Sequence, residues 1–336
     1  MKWTAHIEGG PMRVNHAAVS IEDKIYSFGG YCSTDEYKDW QPIPVHVLET
    51  ATMRWSHLNY NQNDTDVPFE RYGHSAVAYG DKVYLWGGRN NAVQCEILAC
   101  FDTKTLQWTY PRVTGQVPFA KDGHSACLIR NRMYIFGGFE YHTDQYSREL
   151  HYLDLDNMDW KCVSTEGVAP SHRDFHSAVG FEDRIYIFGG RGDLNSPYNS
   201  QEEIYCPQLF IFDTLKDKWI IANPSGVWPG ARRSHSAWLN NGYMYIFGGY
   251  NGLSRTHFND VWRYSIKNNH WEHWPVMGTA PCKRRRQQCI MYGTKMFLFG
   301  GTSDMHILDF SPSLKTLAIC AVLDNKLDQT CLPWDI

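Results

Sequence analysis

Two sets of side chains in this 336-residue chain recur at spacings that could do chemistry. The first is an imidazole: His16, His74, His124, His176 and His235, with Gln287 continuing the series. A basic residue stands three positions before each: Arg13, Arg71, Lys121, Arg173, Arg232 and Arg284. Histidine can ligate metals or move protons near neutral pH. One imidazole per repeat, on separate elements, argues against both, so these groups are expected to tie buried loop backbone together. The second set follows a repeated glycine pair: Tyr31, Arg89, Phe139, Arg191, Tyr250 and Thr302. Lys121, Arg173, Arg233 and the run Arg284, Arg285, Arg286 precede neighbouring strands. Guanidinium groups bind carboxylates two-pronged, and aromatic rings pack the chain beside them. The chemistry expected is therefore capture of an anionic group on a peptide. The competing expectation is that these arginines pair with Asp122, Asp174, Glu140 or Asp193. No G-x-S-x-G, H-E-x-x-H or phosphate-binding loop is present, so neither catalysis, cofactor nor metal is expected.

The elements that would position these residues are six short apolar strands ending in Gly-Gly. They read IYSFGG, VYLWGG, MYIFGG, IYIFGG, MYIFGG and MFLFGG, with first glycines at Gly29, Gly87, Gly137, Gly189, Gly248 and Gly300. A strand-rich repeat of about fifty residues signals a β-propeller. Each apolar run is the second strand of a four-stranded blade, buried on both faces. A tryptophan follows in five copies, at Trp55, Trp108, Trp160, Trp219 and Trp271, and is expected to fill the gap between blades. The sixth copy lacks one. Trp3 supplies it, in a segment like the tryptophan strand of every other repeat. The N-terminal strand is thus expected to complete the sixth blade and remove a free sheet edge.

Composition sets further bounds. A formal charge of −4 gives no general attraction to nucleic acid, and Lys283 to Arg286 sits where the repeat already demands a base. MKWTAHIEGG lacks an apolar core of signal-peptide length, and no apolar run could span a membrane. The ten cysteines form no C-x-x-C pair. Reduced thiols and a place in cytoplasm and nucleus are the expectation. Cys127 and Cys289 fall inside apolar strands, as small hydrophobes.

The glycine pairs, the recurring His and Arg and the tryptophans together resemble the kelch-repeat family over residues 1–310. The expected fold is all-β: a six-bladed kelch propeller closed by the N-terminal strand, with a short helical tail over residues 311–336. In the tail, Pro312 and a serine cap suit a helix start. Leu314, Leu317, Ala318, Ala321 and Val322 share a helical face. One reading has that face packed under the propeller. The other rests on resemblance: Ser313, Leu314, Leu317, Ala318 and Val322 look like the elongin-binding box of cullin-RING substrate receptors, with Ala318 where that box expects cysteine. Leu332, Pro333 and Ile336 look like the start of a cullin-2 box. The resemblance implies a receptor that joins elongin B/C and cullin-2 and binds substrate proteins ending in glycine. It makes Arg191 the grip on the terminal carboxylate, helped by Arg233 and Ser234. Tyr31, Arg89, Lys121, Phe139, Glu140, Asp193 and Tyr250 would line the mouth, with Glu140 or Asp193 meeting a basic residue before the glycine. The rival reading is a kelch scaffold associated with chromatin or cytoskeleton.

Overall fold

In a computed structural model, residues 1–32, 40–60 and 66–325 are described, without the side chains of residues 6, 8 and 324. Six antiparallel blades surround an axis. Their innermost strands are Ala17–Ile21, Tyr72–Tyr79, Ser125–Ile129, Ser177–Phe181, Ser236–Asn240 and Gln288–Tyr292, and each neighbours the next around the ring. The Gly-Gly strands stand second in every blade, from Lys24–Phe28 to Lys295–Phe299, with their apolar residues fully covered. A strand enclosed on both faces has no polar side to show, which is why these runs do not alternate.

Closure follows the expected route. Lys2–Glu8 pairs antiparallel with Asp304–Asp309 as the outermost strand of blade six. Trp3 is buried there and meets Phe247 of blade five at 5.8 Å. Every outer-strand tryptophan does the same to the blade before it. Trp55 meets Phe299, Trp108 meets Phe28, Trp160 meets Trp86, Trp219 meets Phe136 and Trp271 meets Phe188, at 4.8 to 5.9 Å. The partner is always the aromatic residue just before a glycine pair. Wedge-shaped gaps between twisted sheets need large rings, and the edge-to-face contacts of Trp3, Trp55 and Trp108 suit their quadrupoles, the other three being tilted.

The recurring polar residues are structural. Arg173 and Arg232 each donate to the carbonyl of their own blade's first glycine, at 2.9 and 3.0 Å. The histidines link side chains across blades: Ser75 to His124, Ser125 to His176 and Ser177 to His235, each at 2.8 Å. Burial drives the imidazoles of His16, His124 and His235 down to about 3, so they are neutral. Blade one has Ala17 in place of that serine, and His74 makes no such link.

A further repeat escaped the sequence reading. Seven residues after a tryptophan stands a glycine of positive φ: Gly115, Gly167, Gly226 and Gly278. Here the linker to the next blade runs parallel to that blade's outer strand. Thr114 pairs with Asp159, Glu166 with Lys218, Ser225 with His270 and Met277 with Lys2. A Cβ on these glycines would lie 2.1 to 2.5 Å from the carbonyl oxygen of Trp160, Trp219, Trp271 or Trp3. The linkers thereby cap sheet edges.

Helix α1 spans Leu314–Asp324, with the Ser313 hydroxyl accepting from the Thr316 amide at 3.1 Å. Its buried contact is Cys320, whose thiol lies 3.9 Å from the Thr4 carbonyl on the closing strand. Leu314 is 86% exposed, and Ala318 and Ala321 face solvent, whereas Leu317 and Val322 are half-buried. The packing reading therefore holds for Leu317 and Val322 but not for the rest of its face: the helix seats through Cys320 and leaves Leu314, Ala318 and Ala321 outward. Leu332, Pro333 and Ile336 lie outside the described residues.

Candidate functional site

The backbone itself builds the throat of the propeller. The residue before each repeated His or Gln is left-handed: Asn15, Gly73, Gly123, Phe175, Ser234 and Arg286. The amide of each donates to the carbonyl of the one before, closing a six-membered ring of hydrogen bonds. Five of these measure 2.7 to 2.9 Å, and the sixth, Asn15 to Arg286 across the seam, measures 3.4 Å. Side chains on this ring point at the axis. Asn15, Phe175 and Arg286 line both a throat cavity of about 120 Å³ and an adjoining mouth cavity of about 430 Å³. Ser234 lines the throat only, and its buried hydroxyl has no partner.

The mouth cavity is walled by Tyr31, Tyr72, Arg89, Asp122, Tyr141, Phe175, Arg191, Arg233 and Arg286. Four of the residues expected from sequence converge here: Tyr31, Arg89, Arg191 and Arg233. Arg191 stands between two acids. Its Nε and Nη2 donate to Asp174 at 3.0 and 2.6 Å, and its Nη1 to Glu203 at 3.0 Å. Burial alone would lower its pKa, but Asp174, Tyr146 and Glu203 more than offset this and hold it above the ordinary arginine value. A guanidinium has five N–H donors, so two remain for a ligand. Arg233 donates to the Tyr205 hydroxyl at 3.1 Å. Arg89 lies over the Tyr141 ring at 4.0 Å and near Tyr72 at 5.3 Å. Tyr250 sits at the rim between Arg233 and Arg285.

Four expected mouth residues are used elsewhere. The buried Lys121 ammonium contacts Glu140 at 2.9 Å and donates to Ser147 at 3.1 Å. Neither Lys121 nor Glu140 is therefore free for a ligand. Phe139 packs between Tyr141 and Tyr146. Asp193 is buried and accepts from the amides of Asn195 and Ser200, holding its own loop. Phe139, Glu140 and Asp193 follow a glycine pair and Lys121 enters a blade, but all four are buried by the partners they meet there.

Arg286 and Asp122, which the sequence offered only as one of a basic run and as a pairing partner, line the mouth as well. Arg286 makes no ion pair among the described residues, and its Nε is buried without a partner. Burial lowers its pKa, and Arg285, Arg233 and Arg191 add to that. It is a cation among cations, a state that an anion would relieve. Asp122 lies against Gly73, where a Cβ would come within 2.8 Å. Burial pushes its carboxyl up to about 7, and the nearby Asp174 adds to the shift. The repeat did carry a signal for Arg286: it is the position immediately before each His or Gln. Five guanidinium groups, Arg89, Arg191, Arg233, Arg285 and Arg286, thus face three carboxylates, Asp122, Asp174 and Glu203. The arrangement can bind an anion.

Comparison with known proteins agrees with the architecture. The KLHDC2/KLHL20/DRC7 Kelch-repeats domain matches residues 73–301. The chain is 46% identical to Kelch domain-containing protein 3 of Bos taurus and of Homo sapiens, covering 100% of this chain and 94% of each relative. It is 30% identical to human Host cell factor 2, over 70% of this chain and 31% of that protein.

Proposed function

This chain belongs to the kelch-repeat family, and from that premise we propose that it is the substrate-recognition subunit of a cullin-2 RING ubiquitin ligase, acting in cytoplasm and nucleus. Kelch propellers are protein-interaction domains, and here the mouth receives the last residues of substrates ending in glycine. The observation that carries this reading is the surplus of guanidinium groups at a narrow mouth, with Arg286 unpaired. A free C-terminus brings one carboxylate, and glycine is slim enough to carry it toward the throat. Arg191, held in place by Asp174 and Glu203, presents its two remaining donors, with Arg233 beside it and Ser234 below. The exposed Leu314 and Ala318 of α1 supply the face for elongin B/C, and the residues following the helix meet cullin-2.

The test is a pair of peptides identical except at the end, one with a free glycine carboxylate and one amidated. Leaving a buried charge without its partner costs roughly 2–5 kcal/mol, about 30-fold or more in affinity. The acid is expected to bind that much more tightly. Arg191→Ala should weaken the acid and leave the amide nearly unchanged. Equal binding of acid and amide to the unaltered protein overturns the reading.

A further inference from the structure

Among the described residues, one blade edge has no covering strand where four others do. In blades three to six the preceding linker adds a short parallel strand outside the tryptophan strand. The pattern of hydrogen bonds is shared. The linker residue before the glycine donates to the carbonyl two positions before the tryptophan: Thr114 to Met158, Glu166 to Asp217, Ser225 to Asn269. Where the tryptophan amide reaches the linker it donates back, as Trp219 does to Glu166 and Trp3 to Met277.

Blade one departs from this. Its tryptophan strand is Arg54–His57, and the linker that should cover it is Gly9 to Arg13. Gly10 stands seven residues after Trp3, the spacing seen at Gly115, Gly167, Gly226 and Gly278. Yet the amides of Gly9 and Gly10 both donate to the Ser303 carbonyl, at 2.9 and 2.7 Å, and no described segment pairs with the outer side of Arg54–His57. The reason is length. Nine residues separate each capping glycine from the next His or Gln, but only six separate Gly10 from His16. Six extended residues reach about 20 Å and nine about 31 Å. Crossing a four-stranded blade from edge to axis takes about 19 Å. The short linker has no slack to run along the edge first.

The consequence is visible in the tryptophans. Trp3, Trp108, Trp160, Trp219 and Trp271 are at most 5% exposed, whereas Trp55 is only half-buried. Beside it opens a cavity of about 470 Å³ lined by Gly10, Met12, His46, Trp55 and His57. His46 Nδ1 and Trp55 Nε1 are buried there without partners. His46 and His57 face each other at 5.3 Å across the strand pair, and burial, then His57, lowers the His46 pKa to about 4, leaving it neutral.

We propose that the open edge of Arg54–His57 is a docking site for an extended segment of a partner protein, added as a parallel strand with a glycine opposite the Trp55 carbonyl. The occupant's chemistry is read from the four covered edges. A glycine is required, because a Cβ there would strike the tryptophan carbonyl at 2.1 to 2.5 Å. A residue with a free amide must precede it, to donate to the carbonyl of Met53. An apolar or aromatic side chain flanking the glycine has room in the cavity against Trp55 and the rings of His46 and His57. Edge strands accept such additions through main-chain bonds, with pockets supplying selectivity. This site lies on the circumference, apart from the mouth.

The probe is the chain's own capping sequence, Ala-Asn-Pro-Ser-Gly-Val-Trp-Pro, acetylated and amidated so that it offers the mouth no carboxylate. Hydrogen exchange at the Trp55 amide and fluorescence anisotropy of the labelled peptide are measured on the full chain. Peptide is expected to slow Trp55 exchange. Alanine in place of the peptide's glycine, or N-methylation of its serine, should weaken binding at least tenfold. Arg191→Ala should leave it unchanged, so failure of this proposal and failure of the mouth reading are separable. Inserting three residues after Gly10 should let the linker close its own edge, slow Trp55 exchange without peptide and abolish binding. Unchanged Trp55 exchange, or equal binding of the alanine peptide, overturns the proposal. So does protection of Trp55 that grows with protein concentration alongside a sedimenting dimer, which would make the occupant a second copy.

Discussion

Trp3 lies edge-on to Phe247 at 5.8 Å, in the place where Trp271 packs tilted against Phe188 at 5.4 Å. The second joins residues of adjacent repeats, whereas the first joins the chain's beginning to its fifth repeat. The ring is therefore closed largely by the non-covalent contacts of one seven-residue strand, with Asn15 and Gln288 bonding across the same seam. Removing residues 1–8 is expected to expose the full edge of Asp304–Asp309 and unfold or aggregate the ring. Trp3→Ala alone should destabilise by about 3–5 kcal/mol, the usual loss for a large buried aromatic, read as a shift of the denaturant midpoint with unchanged slope.

Lys121 should behave as a core residue despite its charge. Lys121→Ala leaves Glu140 buried without its ammonium, and breaking such a pair costs about 3–5 kcal/mol. Chemical denaturation is expected to show this loss. Peptide affinity of the remaining folded protein should hold within a fewfold, since Lys121 does not reach the mouth cavity.

Asp122 sets a pH dependence. Its folded value of about 7 lies above the ordinary 3.8, because burial and then Asp174 disfavour the charged form. Below about pH 4 both folded and unfolded states hold the proton, and Asp122 contributes no slope. From about pH 4 to 7 the native state holds more protons than the unfolded one, so stability falls as pH rises and stays reduced above 7. Asp122→Asn is expected to flatten that slope in denaturation curves taken between pH 4 and 8. The same ionisation adds a negative charge to the mouth, so a peptide carboxylate should bind more weakly at pH 8 than at pH 6, and Asp122→Asn should remove the difference.

Leu314 tests the tail. It is 86% exposed, so Leu314→Glu should leave the melting temperature within a degree or two, as surface changes do. Capture of elongin B/C should nevertheless be lost, because docking would bury an unpaired carboxylate. Equal capture by the mutant would remove the adaptor role.

Gly226→Ala tests the edge caps. The glycine holds φ at +87, and the new Cβ would lie 2.1 Å from the Trp271 carbonyl. Backbone strain of this kind costs about 1–3 kcal/mol, and exchange at the linker amides is expected to quicken locally.

The sequence alone determined the ring. Apolar runs ending in glycine pairs, the spacing of tryptophans and the odd position of Trp3 are written in residue type and period, because every blade solves the same local packing problem. The buried role of the repeated histidines was legible for the same reason. What the tertiary structure decided was which charges are free. Arg191 and Lys121 are both repeat-borne cations expected at the mouth, yet one faces the mouth and the other is sealed against Glu140. Arg286 was hidden in a basic run until the throat ring placed it on the axis. The tail's outward face depended on Cys320 meeting Thr4, 316 residues away. The open edge at Trp55 needed both the short linker, visible in sequence, and the carbonyl it pairs with instead. Periodicity reports how a segment is buried, because burial repeats with the element. Pairing of charges and edges depends on neighbours brought together only when the ring closes.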